Sequence, residues 1–381
     1  MRKPLLALYS RFSGHRSTRP GTHARRPAAR RMASLVLAVG LLVAPGTALS
    51  SPASASPMIS KARCAANRAA GRITFITGFE LEATVGTIDP VAAEAQGYFK
   101  DLCLNVSIKP GTGNPSPAAQ AVAAGTATIA ELGGASDVIT TNANGIATKA
   151  IAMYGNVNAI ELITMRTITN LRQLQGKTLG YKGSMPPQIS AMLVKAGVNL
   201  RKVRQVGVGY DPTILPRGQV QALTGYKSNE VPTLEADHAR IRTWDPDQFG
   251  IKGTFNALVA NPKFVLAHPT AVEDFLRASF KAYSFCEHSP SVCLADLAKG
   301  SQAGFDKAAN LARWRVESRL VDRHQLAGKG LGAESVAQYT PELKLLRADK
   351  LIPENVNLSK VVIPRFVSAI ERGSKLIWPA P

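Results

Sequence analysis

Residues 92–111 read AAEAQGYFKDLCLNVSIKPG, and this stretch decides the fold class. Ala92, Ala93, Ala95 and Phe99 recur at helical spacing, and Gly97-Tyr98-Phe99-Lys100-Asp101 closes that helix. Val106 and Ile108 then alternate with polar neighbours, as in a short strand, until Pro110-Gly111 stops the run. A helix feeding directly into a strand is one unit of an α/β sheet. The same alternation continues outward. Strands are expected at Ile73–Thr77, Asn105–Lys109, Thr128–Glu131 and Lys149–Met153, and helices at Val91–Lys100, Pro117–Ala124 and Ser136–Ala143. The order predicts a mostly parallel sheet flanked by helices.

A second α/β set starts near Asn170. Gly176–Tyr181 reads as a turn and strand, Pro187–Ala196 as a helix stopped by Gly197, and Val203–Val208 and Gln221–Gly225 as strands. Thr254–Ala260 looks like a strand returning to the first lobe. Beyond it Val272, Phe275, Leu276, Ser279 and Tyr283 share one helical face, and Leu343, Leu346 and Leu351 mark another packed helix.

The first 55 residues carry nine Lys or Arg and no acid, then the apolar run Leu35–Ala44 and the small-residue site Ala53-Ser54-Ala55. Basic, apolar, A-x-A is the order of a secretory signal. The apolar run is short for a bilayer span, and no Leu-x-x-Cys precedes a cysteine, so export without an anchor is expected. Arg30-Arg31 leaves twin-arginine export open. Without this segment 37 Lys and Arg face 26 acids, and the +20 chain becomes +11. No dense basic run interleaved with aromatics follows, so no nucleic-acid partner is expected. Four cysteines in an exported chain suggest Cys64–Cys103 and Cys286–Cys293 bridges over two free pairs; C-x-x-C metal spacing is absent and no metal or cofactor is expected.

Several segments carry a family likeness. Besides the "GYF … L-x-V-x-I-x-P-G" stretch, Ala118–Thr128 (AAQAVAAGTAT) is similar to "A-x-x-A-V-A-x-G-x-A-D", with Thr128 in place of Asp. Leu174–Gly180 is similar to "DLKGKKVG", and Gly218–Ala222 to "G-K-V-D-A" without its Asp. Tyr226–Pro232 is similar to "Y-x-x-N-E-P", and Asn261–Ala278 to "N-x-x-F-L-x-x-x-P-x-x-V-x-x-F-L-x-A". Over residues 72–355 the chain resembles the SsuA-like solute-binding proteins of bacterial ABC importers, which take sulfonates, taurine, nitrate and thiamine-type pyrimidines.

The resemblance implies a two-lobed, type II periplasmic-binding-protein fold with ligand in the cleft. The expected division is 1–55 signal, 56–71 extension, 72–165 with 254–381 as lobe I, and 166–253 as lobe II. Hinges are expected near Ile160–Ile168 and Gly250–Thr254. It further implies a monomer that delivers a small polar or heteroaromatic solute to a permease driven by ATPase subunits. Ligands in such sheets sit beyond the carboxyl ends of the strands. The candidate residues there are Phe79, Glu80, Gly113, Asn114, Ala135, Ser136, Tyr181, Ser184, Tyr210, Tyr226, Asn229 and Glu230. Phe79, Tyr181 and Tyr226 are expected to stack, Asn114, Ser136 and Ser184 to anchor polar groups, and Glu230 to accept from a ring amino group. Acids and aromatics here favour an amino-pyrimidine over an anion, with Lys182 left as a possible anion holder.

Enzyme signals are poor. Gly176-Lys177-Thr178 matches a P-loop tail, but Leu171 stands where the first glycine is needed. No G-x-S-x-G or H-E-x-x-H occurs. A cysteine-rich pyrimidine-synthase motif is missing, so binding without chemistry is expected. A ligand sensor for a membrane receptor is the remaining alternative.

Overall fold

The computed structural model describes residues 58–381 apart from 302, 303, 354 and 355; the expected signal lies outside the described residues. Helix α1 (Lys61–Ala69) leads into β1 (Arg72–Ile76), whose Ile73 and Phe75 point inward while their neighbours do not. The deciding stretch folds as α2 (Ile88–Ala95), the short turn α3 (Tyr98–Asp101) and β2 (Asn105–Lys109). Helix α2 starts three residues earlier than expected and breaks at Gly97, whose φ of 79° only glycine takes up without strain. Then follow α4 (Pro115–Ala124), β3 (Ile129–Leu132), α5 (Ala135–Ala143) and β4 (Lys149–Gly155).

The chain crosses at 156–159 into β5 (Ile160–Met165), β6 (Thr178–Tyr181), α6 (Pro187–Lys195), β7 (Arg204–Gly207), β8 (Ala222–Tyr226), α7 (Glu230–Ala236) and β9 (Ile241–Trp244). It returns through 250–254 into β10 (Phe255–Ala260) and the helices α8 (Pro262–Ala267), α9 (Pro269–His288), α10 (Pro290–Gly300), α11 (Lys307–Arg323) and α12 (Val336–Ala348).

Two five-stranded sheets result, in the orders β2-β1-β3-β10-β4 and β7-β6-β8-β5-β9. In each, three strands run parallel beside a fourth that is antiparallel: β10 in the first, β5 in the second. The return of β10 to the first sheet matches the sequence reading. Strand β5 does not: its residues were placed in lobe I and at a hinge, but it pairs with β8 and β9 in the second sheet. The first crossing therefore precedes Ile160. Strand β9 was not foreseen.

Helices cover both faces of the first sheet, which is why β3 and β10 are buried throughout. Ile129, Leu258 and Ala260 join one core with α2 and α9; Ala130, Ala257 and Val259 join another with α4, α5 and α12. Phe275 on α9 stacks on Phe99 at 5.3 Å and meets Phe75 at 5.4 Å. All five residues of the expected α9 face are buried, whereas Leu351 lies beyond α12 and is exposed. Cys64–Cys103 and Cys286–Cys293 are both bridged.

The crossings are tied to each other by Asn158. Its backbone N–H and side-chain amide donate to Asp247 at 3.0 and 2.9 Å, and the amide also donates to the Ile251 carbonyl at 2.7 Å. Gly253 passes so close that a Cβ there would sit 2.0 Å from Asn158 Oδ1.

Candidate functional site

The carboxyl ends of the parallel strands in both sheets meet across one cleft. From lobe I come the loops after β1, β2 and β3, joined by α11 and α12. From lobe II come the ends of β6, β7 and β8 and the starts of α6 and α7.

Glu342 on α12 is the most heavily bonded group. Its Oε1 accepts from Thr254 Oγ1 at 2.6 Å; its Oε2 accepts from the Ser136 N–H at 2.9 Å, the Ser136 hydroxyl, and Gln188 Nε2 of lobe II at 2.8 Å. A second bridge joins Ser228 of lobe II to Glu317 on α11, hydroxyl to Oε1 at 2.7 Å, while the Val85 N–H holds Oε2 at 2.7 Å. A third runs from Arg313 to Asn229 Oδ1 at 2.7 Å, with Glu82 also held by Arg313 at 3.1 Å. A fourth is aromatic: Phe79 and Tyr210 lie 5.6 Å apart, tilted by 44°. Gly113 permits this, because a Cβ there would be 2.8 Å from the Phe79 ring.

Burial governs the acids. It pushes Glu131 up to about 8, with Asp89 and Glu317 adding repulsion, and raises Glu317 to about 7 and Asp137 to about 6. Glu342 and Glu82 move the same way for the same reason. Tyr226 as a residue is 38% exposed, yet its hydroxyl is pushed upward by burial and by the carboxylates Asp137, Glu230, Glu317 and Glu131.

The sequence candidates divide into three groups. Phe79, Gly113, Ser136, Tyr210, Tyr226, Asn229 and Glu230 are brought to the cleft. Asn114 and Ala135 lie beside it with their groups engaged: Asn114 Oδ1 caps α4 through the Ser116 N–H at 3.1 Å, and the Ala135 N–H donates to Thr254 at 2.7 Å. Glu80 and Ser184 are exposed, and Tyr181 packs on the lobe II core. Glu230 is not a free acceptor. It is buried and ion-paired with Lys182, and it accepts from the Tyr226 N–H at 2.6 Å and from Asn229 at 3.0 Å. Those bonds occupy Lys182 as well, so it is not a spare cation for an anion. Removing Glu230 would therefore cost stability as well as any contact to a ligand. Sequence reasoning missed Gln188, Ser228, Glu131, Asp137, Arg313, Glu317 and Glu342. Only Glu131, an acid inside an otherwise apolar strand, carried a local signal.

The NMT1/THI5-like family profile matches residues 87–292, more than half of the chain. The chain belongs to the NMT1/THI5-like family. No curated protein matches it. In fold this NMT1/THI5-like chain is similar to a protein of Bordetella bronchiseptica RB50, at 22% identity and a TM-score of 0.58 over 78% of this chain and 96% of that one. It is similar also to the periplasmic aliphatic sulphonate binding protein SsuA of Escherichia coli, at 15% identity and 0.58 over 81% and 96%. A mutant of DszB in complex with biphenyl-2-sulfinic acid shares the fold at 13% identity and 0.52 over 78% and 97%. The profile falls inside the segment 72–355 that carries the family likeness, and the fold is the two-lobed type II periplasmic-binding-protein fold.

Proposed function

We propose that this protein is the extracytoplasmic substrate-binding component of an ABC importer. It captures a small polar or heteroaromatic solute by closing two lobes and hands it to a permease driven by ATPase subunits. The observation that carries this reading is the set of direct bridges between lobes joined only by the crossings at 156–159 and 250–254. Gln188–Glu342, Ser228–Glu317 and Arg313–Asn229 each link one lobe to the other. Closure of this kind repacks a cleft around a ligand without chemistry on it.

Binding rather than catalysis is also supported by the cysteines. All four are spent in disulfides, leaving no thiol nucleophile among the described residues. An exported chain, its first 55 residues removed as a signal, suits those bridges. Within the ligand classes, aromatic rings beside carboxylates favour a thiamine-type pyrimidine. An alkylsulfonate, taurine or nitrate comes next; it would need donors or cations that Lys182 and Arg313 already commit elsewhere.

A thermal-shift screen of residues 56–381 against pyrimidines, thiamine, alkylsulfonates, taurine and nitrate tests the reading. A solute at a hundredfold excess over its Kd adds about 2.7 kcal/mol of stability. A rise in Tm with heterocycles is expected. A rise with sulfonates alone would replace the ligand class, and none with any solute would count against transport.

A further inference from the structure

The cleft sets many carboxylates against few cations. Lobe I brings Glu82, Glu131, Asp137, Glu317 and Glu342, and lobe II brings Glu230. The cations that reach them are Arg313, held by Glu82 and Asn229, and Lys182, paired with Glu230. Both are engaged already.

Glu131 differs from the other five. It is only 4% exposed, at the carboxyl end of β3, and its head group fills the space beside Gly78 and Gly86; a Cβ on either would lie 3.0 or 2.8 Å from it. The Gly78 N–H and the Thr87 hydroxyl donate to Oε2 at 3.1 and 3.0 Å. Its Oε1 takes no hydrogen bond from any described residue. Glu317 and Glu342, by contrast, have both oxygens bonded. The titratable groups that face Glu131 are Asp89 from α2, Glu317 from α11 and the Tyr226 phenol across the cleft, with Tyr154 behind Asp89. Each is acidic or phenolic, and none neutralises it.

Resting on the solute-binding reading, we propose that the solute is an organic cation whose positively charged nitrogen is anchored by Glu131 Oε1 beside the Tyr226 ring. An ammonium, amidinium or quaternary nitrogen would supply the charge that this end of the cleft lacks, and an aromatic face is a favourable neighbour for it. A metal ion fits less well, because no three His, Cys, Asp or Glu side chains among the described residues group closely enough to hold one. An anion at Glu131 would meet the neighbouring acids Asp89 and Glu317 with no cation bonded there.

A linkage follows. Burial raises Glu131 to about 8, so near neutral pH the empty site holds a proton that a bound cation displaces. A permanent cation therefore binds more tightly as pH rises toward and past about 8, and binding releases protons below that pH.

The test is calorimetry of the purified protein with choline and thiamine as permanent cations, 4-aminopyrimidine as a neutral ring and methanesulfonate as an anion. Titrations run from about pH 6 to about pH 9 in buffers of different ionisation enthalpy. At least one cation is expected to bind with proton release. Glu131→Gln should weaken it by about tenfold or more and abolish the proton release, with Tm unchanged or raised. Glu131→Asp keeps the charge, and is expected to retain part of the affinity and the pH dependence if the isosteric variant fails to fold. Cation binding that is indifferent to both variants overturns the proposal. Binding of methanesulfonate or 4-aminopyrimidine without either cation overturns the charge assignment and leaves the solute-binding reading standing. Silence from all four probes overturns the cation proposal and leaves the solute-binding reading to the thermal-shift screen.

Discussion

Two of the hydrogen-bonded bridges across the cleft run from a lobe II donor to a lobe I carboxylate, and the third runs the other way, from Arg313 of lobe I to Asn229 of lobe II. On the lobe I side, Glu317 and Glu342 are buried carboxylates, neither with a cation bonded to it, satisfied by hydroxyls, backbone N–H groups and an amide. On the lobe II side, Gln188 and Ser228 donate outward, and the buried acid Glu230 is balanced by Lys182. The difference teaches that closure brings lobe II donors to buried lobe I carboxylates: Ser228 supplies the bond that Glu317 Oε1 takes, and Gln188 adds one to Glu342, which Ser136 and Thr254 already bond. Each acid left in a low-dielectric setting without a cation raises the free energy of its charged form.

The joint between the lobes is where that comparison breaks most severely. Gly253→Ala would drive a Cβ into Asn158, whose amide is held by Asp247 and Ile251 and has nowhere to move. A loss of about 3 kcal/mol is expected from overpacking and lost hydrogen bonds. Calorimetric unfolding should show it; a loss under about 1 kcal/mol would mean the crossings yield more easily than their bonding implies.

Next comes the acceptor side. Glu342→Ala strands the Ser136 N–H and hydroxyl, the Thr254 hydroxyl and the Gln188 amide, and is expected to cost about 2–3 kcal/mol. Glu342→Gln keeps the shape and should cost less than half as much. Equal losses in urea titrations would show that charge, not bonding, is what Glu342 contributes.

The paired acid of lobe II supplies the contrast. Glu230→Ala leaves the Lys182 ammonium, 13% exposed, without its partner, and about 2 kcal/mol should be lost. Replacing both members by methionine should recover most of that loss, since a well-packed apolar pair often matches a buried ion pair. If the double variant is no better than the single one, the pair is anchoring the Tyr226–Glu230 loop rather than merely neutralising itself.

How much of this was legible in the sequence follows the range of each contact. Strand β2 and the glycine stops at Gly97 and Gly197 are local events, written in periodicity and in residues that accept positive φ. Strand β5 was misread because crossing segment and strand look alike until the partners β8 and β9 are known. The acids of the cleft were hidden for a stronger reason. Ser136 and Glu342 are 206 residues apart, and Val85 and Glu317 are 232 apart. No local pattern announces such meetings, and a net charge of +20 conceals a cleft where buried acids outnumber cations. Phe79, Tyr226 and Glu230 could be placed at the cleft from the sequence because loops after strands are positioned by the sheet itself.

The smallest expected effect is also the one that best separates the two lobes, because it changes with pH. Ser228→Ala removes one hydroxyl from Glu317 Oε1 and nothing from lobe I itself. Glu317, raised by burial to about 7 from an ordinary value near 4.5, holds its proton longer in the folded state than in the unfolded one. Its contribution to stability is therefore most favourable at low pH and is lost as pH rises from the unfolded value through about 7. The Ser228 hydroxyl counters that loss by bonding the charged form, so deleting it pushes the folded value higher still. The variant should be nearly neutral at about pH 5 and cost about 1 kcal/mol at about pH 8.5. Unfolding followed at both pH values checks it. A cost that is the same at both would mean that Glu317 keeps one protonation state throughout. The bridge would then be an ordinary neutral hydrogen bond, not the compensation of a lobe I charge by a lobe II donor.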